Sequence, residues 1–595
     1  MRRLALCAAP LLAAASAAGF ALHRIARTPF TPYGDFGAAH LEHEVRLAVV
    51  QGWREASGGL WEHIVAVDGQ YPPLLHVATL KLSSWAGYEV ADVAWTGLLW
   101  LGLLAVAVAT CAAAISRSAL PAAAAASLVF LWPVGPAVAT RYYYDLPLTA
   151  VLWSAAAVAL ATWDGASPAD RRLAGPGRAA TQLALAVPAG VVVGVLAALA
   201  CGFKWTALAF APIMVGAAFL SPVHRSGLRR RLPVRLVALL VAATTGSGIL
   251  WFAASGLGPE SSLATTFNDM WPGVGDALYN DDGVFQPRSA LDAFAGGSDT
   301  TFFKPGLVFY PVTLVSGVLS VAFAASLAGP LVHWLRADRR GLVFVLAVVI
   351  GQGLFLALVI SALDERFLLT LAPGILLAAA IGWSSLPPAP RMRWGVAVVA
   401  TALLVSADFH YGDDLPVSAP LRVPMPESDD VVVRGLGLGD SWEQRGWARY
   451  DTQPHPRPQA RRMIQALGAQ CGFGPSVLRD APLSASPFGD LHWLNYEHRL
   501  ESLGEATMRP RIDDCASWLS SLSGLDRAEV VDRDLLLRAA VVVLDGDAVE
   551  YRVQVRGCVP EALPDGVPST LGAPDLLELE RVAPRCLQVF EDRSP

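Results

Sequence analysis

The feature that most constrains the fold is a series of long apolar segments that carry almost no charge. Three of them are residues 93–115, 233–254 and 342–362. Each has the length of an α-helix that crosses a hydrocarbon core of roughly 30 Å. They lack the alternation of apolar and polar residues that a barrel strand needs, so helices are the conformation that satisfies the backbone in lipid.

The composition supports burial of these segments in a membrane. Hydrophobic residues make up 54% of the 595 positions and charged residues only 16%, which is more apolar material than one soluble core can hide. The net charge of −6 is small for this length, which argues against nucleic acid as a partner. The chain is therefore predicted to be a polytopic α-helical membrane protein surrounded by membrane lipids.

About eleven spans are predicted from the hydropathy of the chain. They lie near residues 4–22, 93–115, 120–139, 146–163, 184–201, 204–221, 233–254, 306–332, 342–362, 367–384 and 393–408. The first segment also resembles a cleavable signal peptide, because Arg2 and Arg3 precede an Ala-rich core that contains Ala15-Ser16-Ala17. Both alternatives deliver the following loop to the same side of the membrane.

The orientation follows from the basic residues in the short loops, because Arg and Lys are retained on the cytoplasmic side. If the N-terminus is inside, every strongly basic short loop is inside as well. These loops contain Arg117, Arg171, Arg172, Arg178, Arg225, Arg229, Arg230, Arg231, Arg235, Arg336, Arg339, Arg340, Arg391 and Arg393. We expect a multi-pass protein of the bacterial inner (plasma) membrane, with loops 23–92 and 255–305 and the C-terminal tail outside.

The tail, residues 411–595, has a higher charge density and a higher proportion of proline than residues 1–410. Short apolar runs predict strands, and two further segments predict helices. The strands are expected at Ala540–Leu544, Tyr551–Val555 and Cys586–Phe590, and the helices near Pro458–Gln470 and Ile512–Leu522. The sequence thus predicts a small mixed α/β extracytoplasmic domain that gates the substrate or positions the acceptor.

Four of the seven cysteines lie in this tail, at Cys471, Cys515, Cys558 and Cys586. In an oxidising compartment they can form two disulfides with three possible connectivities, and buried free thiols are the alternative. We predict that all four are oxidised in the mature protein. Thiol labelling before and after reduction checks this, and labelling of all four without reduction would contradict it.

Polar residues gather in four short stretches at the predicted outer ends of spans. They are Pro32–Phe36 followed by His40, Gln70–His76, Arg141–Leu148, and the two turns that contain Lys204-Trp205 and Asp364–Phe367. Lysine occurs at only three positions, Lys81, Lys204 and Lys304. A cation at the membrane boundary of such a chain calls for an anionic partner, and snorkelling of the side chain to the interface is the alternative.

This set of residues resembles the membrane glycosyltransferases of the GT-C type, specifically the bacterial family 39 and 83 group that includes protein mannosyltransferases and the aminoarabinose transferase. The resemblance covers about residues 1–410. It rests on an acid soon after the first span, a Pro-Pro-Leu in the first loop, an Asp-x-Pro-Leu that enters a later span, a Lys at a turn, and an Arg followed by aliphatic residues and Pro. These are Asp35, Pro72-Pro73-Leu74, Asp145–Leu148, Lys204, and Arg366 with Pro373.

The chain departs from this group at two positions. Phe36 follows Asp35 where the group usually has Glu, and Tyr71 stands where the aminoarabinose branch commonly has Lys. The second departure disfavours aminoarabinose as the substrate.

We also expect loop 23–92 to pack over the site as short helices along the membrane surface, with Pro72-Pro73 ending one of them.

The resemblance implies an inverting transferase that moves a sugar from a polyprenyl-phosphate donor to a lipid, glycan or protein acceptor at the outer face, and the sequence requires no cofactor. The acceptor hydroxyl loses a proton as it attacks, and one positioned carboxylate can accept that proton. The phosphate that leaves is stabilised by nearby cations. The candidate catalytic acids are Asp35 and Asp145, the candidate phosphate contacts are Lys204 and Arg366, and further substrate contacts are His40, Tyr71, Tyr144 and Glu365.

Simpler roles exist for the same residues. Asp35 can cap the following helix, and Asp145 can stabilise a helix N-terminus before Pro147. The spacing of His40, His43 and Glu44 fits a metal site, but a solvated helix face gives the same spacing.

Two other functions compete with the transferase. A transporter or lipid flippase is the main alternative, and a membrane anchor or sensor for the tail is the third. The sequence shows neither an internal repeat of spans nor an ionisable residue at the centre of a span, which are features that transporters often have.

Overall fold

The computed structural model of the protein describes Gly19 and twelve longer segments. These are residues 72–82, 90–139, 144–164, 176–221, 228–259, 261–270, 273–280, 282–296, 306–358, 365–411, 541–545 and 548–554. The predicted first span and most of loop 23–92 therefore lie outside the described residues. Contacts divide the chain into two compact units, of which one contains all the described helices and the other the two described strands.

The first unit is built from sixteen α-helices among the described residues. They are α1 Leu74–Leu82, α2 Val90–Ser116, α3 Ala119–Leu131, α4 Val134–Ala139, α5 Asp145–Asp164, α6 Pro176–Phe203, α7 Ala207–Leu220, α8 Leu228–Gly256, α9 Ser262–Met270, α10 Pro287–Gly296, α11 Gly306–Thr313, α12 Val321–His333, α13 Leu342–Leu346, α14 Gln352–Leu358, α15 Ala372–Ser385 and α16 Pro388–Tyr411. Three π-helical segments join them, at Leu314–Val318, Trp334–Asp338 and Ala347–Gly351. Two 3-10 helices lie at Asp276–Leu278 and Glu365–Thr370.

Five of these helical segments are long and apolar enough to cross a membrane. They are Thr96–Ser116, Asp145–Thr162, Ala184–Phe203, Pro233–Gly256 and Arg366–Ser385. Shorter apolar helices lie at Ala119–Leu131, Ala207–Leu220 and Leu342–Leu358. Helices thus occur at every predicted span that the structure describes, and the chain is a multi-pass membrane protein. The total of about eleven spans stays a prediction.

The outer surface of α8 has the character expected of a helix in contact with lipid. Leu240, Trp251 and Phe252 are 65%, 57% and 66% exposed, respectively. Large apolar side chains that are exposed in a row along one helix are costly in water but favourable against hydrocarbon chains. This exposure agrees with the membrane location that the hydropathy predicts.

Two of the predicted spans are interrupted rather than continuous. The segment 120–139 breaks after α3 at Trp132 and Pro133, because proline has no N–H to donate within a helix. The segment 306–332 passes through a π-helical stretch and then through Ser320, whose φ is 65°. The two interruptions are in contact: the indole Nε1 of Trp132 donates to the carbonyl oxygen of Val318 at 2.5 Å. A side chain therefore satisfies a backbone group at the irregular segment.

Glycines bring α6 and α8 into backbone contact. A Cβ atom at Gly190 would lie 2.6 Å from the carbonyl oxygen of Ala238, and one at Gly194 would lie 2.5 Å from that of Ala242. Both distances are too short for any larger residue without a shift of the helices. Small residues allow this approach, which is a common way for helices to associate in a membrane.

The second unit contains an antiparallel hairpin of β1 Val541–Asp545 and β2 Ala548–Gln554. Val541 pairs with Gln554 and Val543 with Arg552, and the register shifts between Val543 and Asp545. The structure therefore has strands at two of the three predicted runs. The third run, the predicted tail helices and the four tail cysteines lie outside the described residues. The mixed α/β domain and its boundary at residue 410 remain predictions.

Candidate active site

A buried ion pair joins two of the predicted site residues. Asp145 is the first residue of α5, and Lys204 lies in the turn between α6 and α7. The Lys204 Nζ lies 3.0 Å from the Asp145 Oδ1, and the two side chains are 7% and 2% exposed. Lys204 is therefore held inside the helical unit and does not extend along the protein surface. From the sequence we expect Asp35, Asp145, Lys204 and Arg366 to surround one cavity at the outer membrane boundary, but the sequence did not predict that Asp145 and Lys204 form an ion pair.

The local sequence explains how Asp145 is placed. An acidic residue is favoured in the first turn of a helix, and Pro147 is compatible with that turn because its missing N–H would have no partner there. The Thr149 hydroxyl donates to the Asp145 carbonyl oxygen at 2.6 Å. Tyr144, which precedes Asp145, is fully buried. The bond from Thr149 thus stabilises the backbone of Asp145 at the start of α5.

The second carboxylate oxygen of Asp145 is the chemically notable atom of this site. Oδ2 is buried and has no hydrogen-bond partner within the described part of the chain. A buried carboxylate oxygen without a partner carries a desolvation cost that a bound donor can relieve. The ion pair therefore uses Oδ1, while Oδ2 is available to a hydroxyl group of a ligand.

The 3-10 helix Glu365–Thr370 also contacts Lys204. The Lys204 Nζ is 4.6 Å from the ring centroid of Phe367, which is the geometry of a cation–π contact. The indole Nε1 of Trp153 in α5 donates to the carbonyl oxygen of Thr370 at 3.0 Å. These contacts hold the 3-10 helix against the helix that carries Asp145. Arg366, next to Phe367, is half-buried.

The Pro-Pro-Leu stretch of the first loop also reaches this region. α1 begins directly after Pro72-Pro73, and the Val77 N–H donates to the Pro73 carbonyl oxygen at 3.2 Å. Leu74 packs on the end of α6, because a Cβ atom at Gly202 would lie 2.9 Å from its Cδ2. We predicted that these prolines end a helix. Among the described residues a helix begins directly after them, which agrees with the preference of proline for the first helical turn. The residues before Pro72 lie outside the described part of the chain, so a helix that ends at these prolines stays a prediction.

The segment predicted as outer loop 255–305 packs on the same turn. The indole Nε1 of Trp205, next to Lys204, donates to the Ser262 Oγ at 2.8 Å, and both side chains are buried. Ser262 is the first residue of α9. Sequence reasoning did not nominate Ser262 or Trp153, and it assigned no role to Phe367, because no short motif marks a residue that contacts a distant turn.

The structure brings together some of the nominated residues and does not describe others. Asp145 and Lys204 are in direct contact, Tyr144 is adjacent in the chain, and Arg366 and Glu365 lie on the neighbouring 3-10 helix. Asp35, His40, Tyr71 and Lys304 lie outside the described residues, so their approach to this site stays a prediction. Across the described segments, no group of three or more His, Cys, Asp or Glu side chains could hold a metal ion.

Comparison with known proteins finds structural likenesses at low identity. No family model matches the chain, and no curated protein matches it. Among solved structures it is similar to ArnT from Cupriavidus metallidurans bound to undecaprenyl phosphate, with 14% identity, 90% of this chain and 86% of that chain covered, and a TM-score of 0.47. The apo state of that protein gives 16% identity, the same coverage and a TM-score of 0.43.

A third solved structure, also similar to this chain, comes from an archaeon. It is the oligosaccharyltransferase AglB from Archaeoglobus fulgidus in complex with an inhibitory peptide and a dolichol-phosphate. The identity is 13%, the match covers 90% of this chain and 69% of that chain, and the TM-score is 0.44. Because these three TM-scores are below 0.5, the functional assignment rests on the residues of the chain itself.

Proposed function

We propose that the protein is an inverting glycosyltransferase that takes a sugar from a polyprenyl-phosphate donor and transfers it to a lipid, glycan or protein acceptor at the outer face of the membrane. The observation that carries this proposal is the buried cluster of Asp145, Lys204 and Phe367. Its members come from three distant regions of the chain. Each region is one that the family resemblance had singled out.

The cost of the ion pair supports a functional role. Two charges removed from water pay a desolvation penalty that their mutual attraction often only just repays. Ionisable residues within a helical membrane unit are therefore rare and tend to mark substrate sites. Lys204 donates to the Oδ1 of Asp145, and Oδ2 has no partner among the described residues. This arrangement suits a carboxylate that receives a hydroxyl donor.

The chemistry of transfer follows from these charges. The bond between the sugar's anomeric carbon and the phosphate oxygen breaks, and a bond from the acceptor oxygen to that carbon forms on the opposite face. The acceptor proton passes to a carboxylate, for which Asp35 is the first candidate while Asp145 orients the acceptor hydroxyl. The polyprenyl phosphate leaves as an anion, and Lys204 and Arg366 provide positive charge for it.

The direct test of this function compares cells with and without the protein. We expect loss of one surface glycan or glycolipid and accumulation of an unused polyprenyl-phosphate sugar when the protein is absent. Mass spectrometry of lipid-linked sugars and of surface glycans measures both. If the same lipid accumulates on the cytoplasmic leaflet while membranes opened to substrate still transfer its sugar, the flippase alternative replaces this proposal.

Arg366→Ala provides a specific prediction for donor binding. Loss of a hydrogen bond to a charged group costs about 1.5–3 kcal/mol, so the KM for the donor should rise roughly tenfold to a hundredfold. Arg229→Ala is the matched control, because Arg229 lies in the first turn of α8 at the predicted cytoplasmic side. Initial rates at varied donor concentration separate the two variants, and an equal loss in both would indicate a folding defect.

A further inference from the structure

Several buried polar side chains outside the ion-pair cluster have an atom with no hydrogen-bond partner within the described structure, and two of them, Thr313 and Gln352, lie on neighbouring helices. Gln352 is fully buried, and neither its Oε1 nor its Nε2 has a partner. Thr313 is 1% exposed, and its Oγ1 has none. An amide or hydroxyl that is buried without a hydrogen bond is costly, and it is uncommon in native proteins. Such a group calls for a partner that binds to the protein.

Three other threonines in the described helices form hydrogen bonds within their own helix. The hydroxyls of Thr110, Thr162 and Thr244 each donate to the carbonyl oxygen four residues earlier, at 2.7–2.8 Å. This is the usual arrangement for a threonine inside a helix in an apolar environment. Thr313 also lies in a helix, but its hydroxyl makes no such bond. The Thr313 hydroxyl therefore forms no hydrogen bond to the backbone of its own helix.

Both residues lie at the edge of a π-helical segment. Thr313 is the last residue of α11 and directly precedes Leu314–Val318, whereas Gln352 is the first residue of α14 and directly follows Ala347–Gly351. Short π-helical segments are rare and occur frequently at functional sites. α11 and α14 pack against each other, so the two residues belong to neighbouring helices.

The helices that carry Thr313 and Gln352 also contact the elements that carry the ion-pair cluster. The 3-10 helix Glu365–Thr370 packs against both α11 and α5, and α14 packs against α7, which follows Lys204. A Cβ atom at Gly353 would lie 3.5 Å from the Cδ2 of Leu371, so the turn after the 3-10 helix contacts α14 directly. A ligand that extends from the ion pair into the helical unit would meet these elements.

We propose that Thr313 and Gln352 form a second polar binding site, which takes hydroxyl groups of a sugar-bearing lipid. The amide offers one acceptor oxygen and two N–H donors, and the threonine hydroxyl both donates and accepts. A sugar hydroxyl also donates and accepts, so it can satisfy both side chains without bringing a charge into the helical unit. Neither residue is cationic, which disfavours the phosphate itself as the bound group. This inference rests on the proposed function.

The test uses the full-length protein purified in mild detergent from the cells that make it. Wild type is compared with Gln352→Met and Thr313→Val, which keep the approximate size of each side chain and remove the polar atoms. Thr162→Val is the matched control, because the Thr162 hydroxyl already bonds to Val158. Mass spectrometry quantifies the co-purified lipids and identifies their head groups, which distinguishes a donor lipid from a glycolipid acceptor.

We expect wild type and the control to retain a glycosylated lipid, and both test variants to retain roughly tenfold less, the ratio that about 1.4 kcal/mol produces. After removal of lipid, the test variants should unfold at the same or a higher temperature than wild type, because an unsatisfied buried group is gone. Lower unfolding temperatures of the lipid-free variants would show that the two side chains have a structural role, and would overturn the proposal.

Two other outcomes would also overturn it. One is equal retention of the glycosylated lipid by all four proteins. The other is that wild type carries no such lipid, in which case ordered water is the partner of both side chains. The proposed function can fail separately: if surface glycans do not change without the protein but the bound lipid still depends on Gln352, then the protein binds the lipid without transferring its sugar.

Discussion

Lys204→Met should lower the free energy of unfolding by about 3–5 kcal/mol and abolish sugar transfer. The reason is that Asp145 would keep its buried carboxylate without the ammonium that lies 3.0 Å away. Removing one partner of a buried ion pair leaves an uncompensated charge, which is among the most destabilising single changes. Thermal unfolding in detergent and transfer assays with equal amounts of folded protein measure the two effects.

The double variant Asp145→Asn/Lys204→Met separates stability from activity. It removes both charges, so the stability should return to near that of wild type, because an uncharged pair pays no charge desolvation. Transfer should remain lost, since neither the carboxylate nor the cation is present. Recovery of transfer in the double variant would show that the ion pair has only a structural role.

Asp35→Asn should lower the rate of transfer roughly 10²- to 10⁴-fold while the protein is inserted and accumulates normally. The amide has nearly the shape of the carboxylate but cannot accept the proton of the acceptor, and that range is typical for loss of a general base. Rates with saturating donor and acceptor, with immunoblots for abundance, measure the effect. Asp292→Asn, the same change at an exposed position of α10, is the control.

Normal turnover of Asp35→Asn would assign this residue to helix capping and leave Asp145 as the candidate base. A similar loss in Asp292→Asn would indicate that the assay reports on the folding of the outer segments. The two carboxylates can therefore be ranked without any assumption about the identity of the sugar.

Hydropathy was sufficient to place the helices but not their internal irregularities. Every predicted span from 93–115 to 393–408 contains a helix, because a long apolar run can bury its backbone in lipid only in that way. The break at Trp132 and the π-helical segments were not predicted. A hydropathy average is insensitive to one inserted residue or to one side chain that bonds a distant carbonyl.

The sequence predicted that the candidate site residues share one outer cavity, but it did not predict the ion pair between Asp145 and Lys204. Asp145 and Lys204 stood out because an acid and a rare lysine lie at span ends, but no rule of spacing pairs residues that are 59 positions apart. Gln352 was missed because the search for polar residues within spans considered only ionisable side chains. A single glutamine in the apolar segment 342–362 was the available signal.

The glycine contacts between α6 and α8 have a consequence for membranes of different thickness. A bilayer that becomes thinner or thicker is matched mainly by the tilt of the helices within it. Because Gly190 and Gly194 place the two backbones in contact, α6 and α8 cannot slide past each other without separating, and they should tilt as one body. Lys204 directly follows α6. When the bilayer thickness changes, the Lys204 ammonium group should therefore move together with both helices, and one helix should not slide along the other.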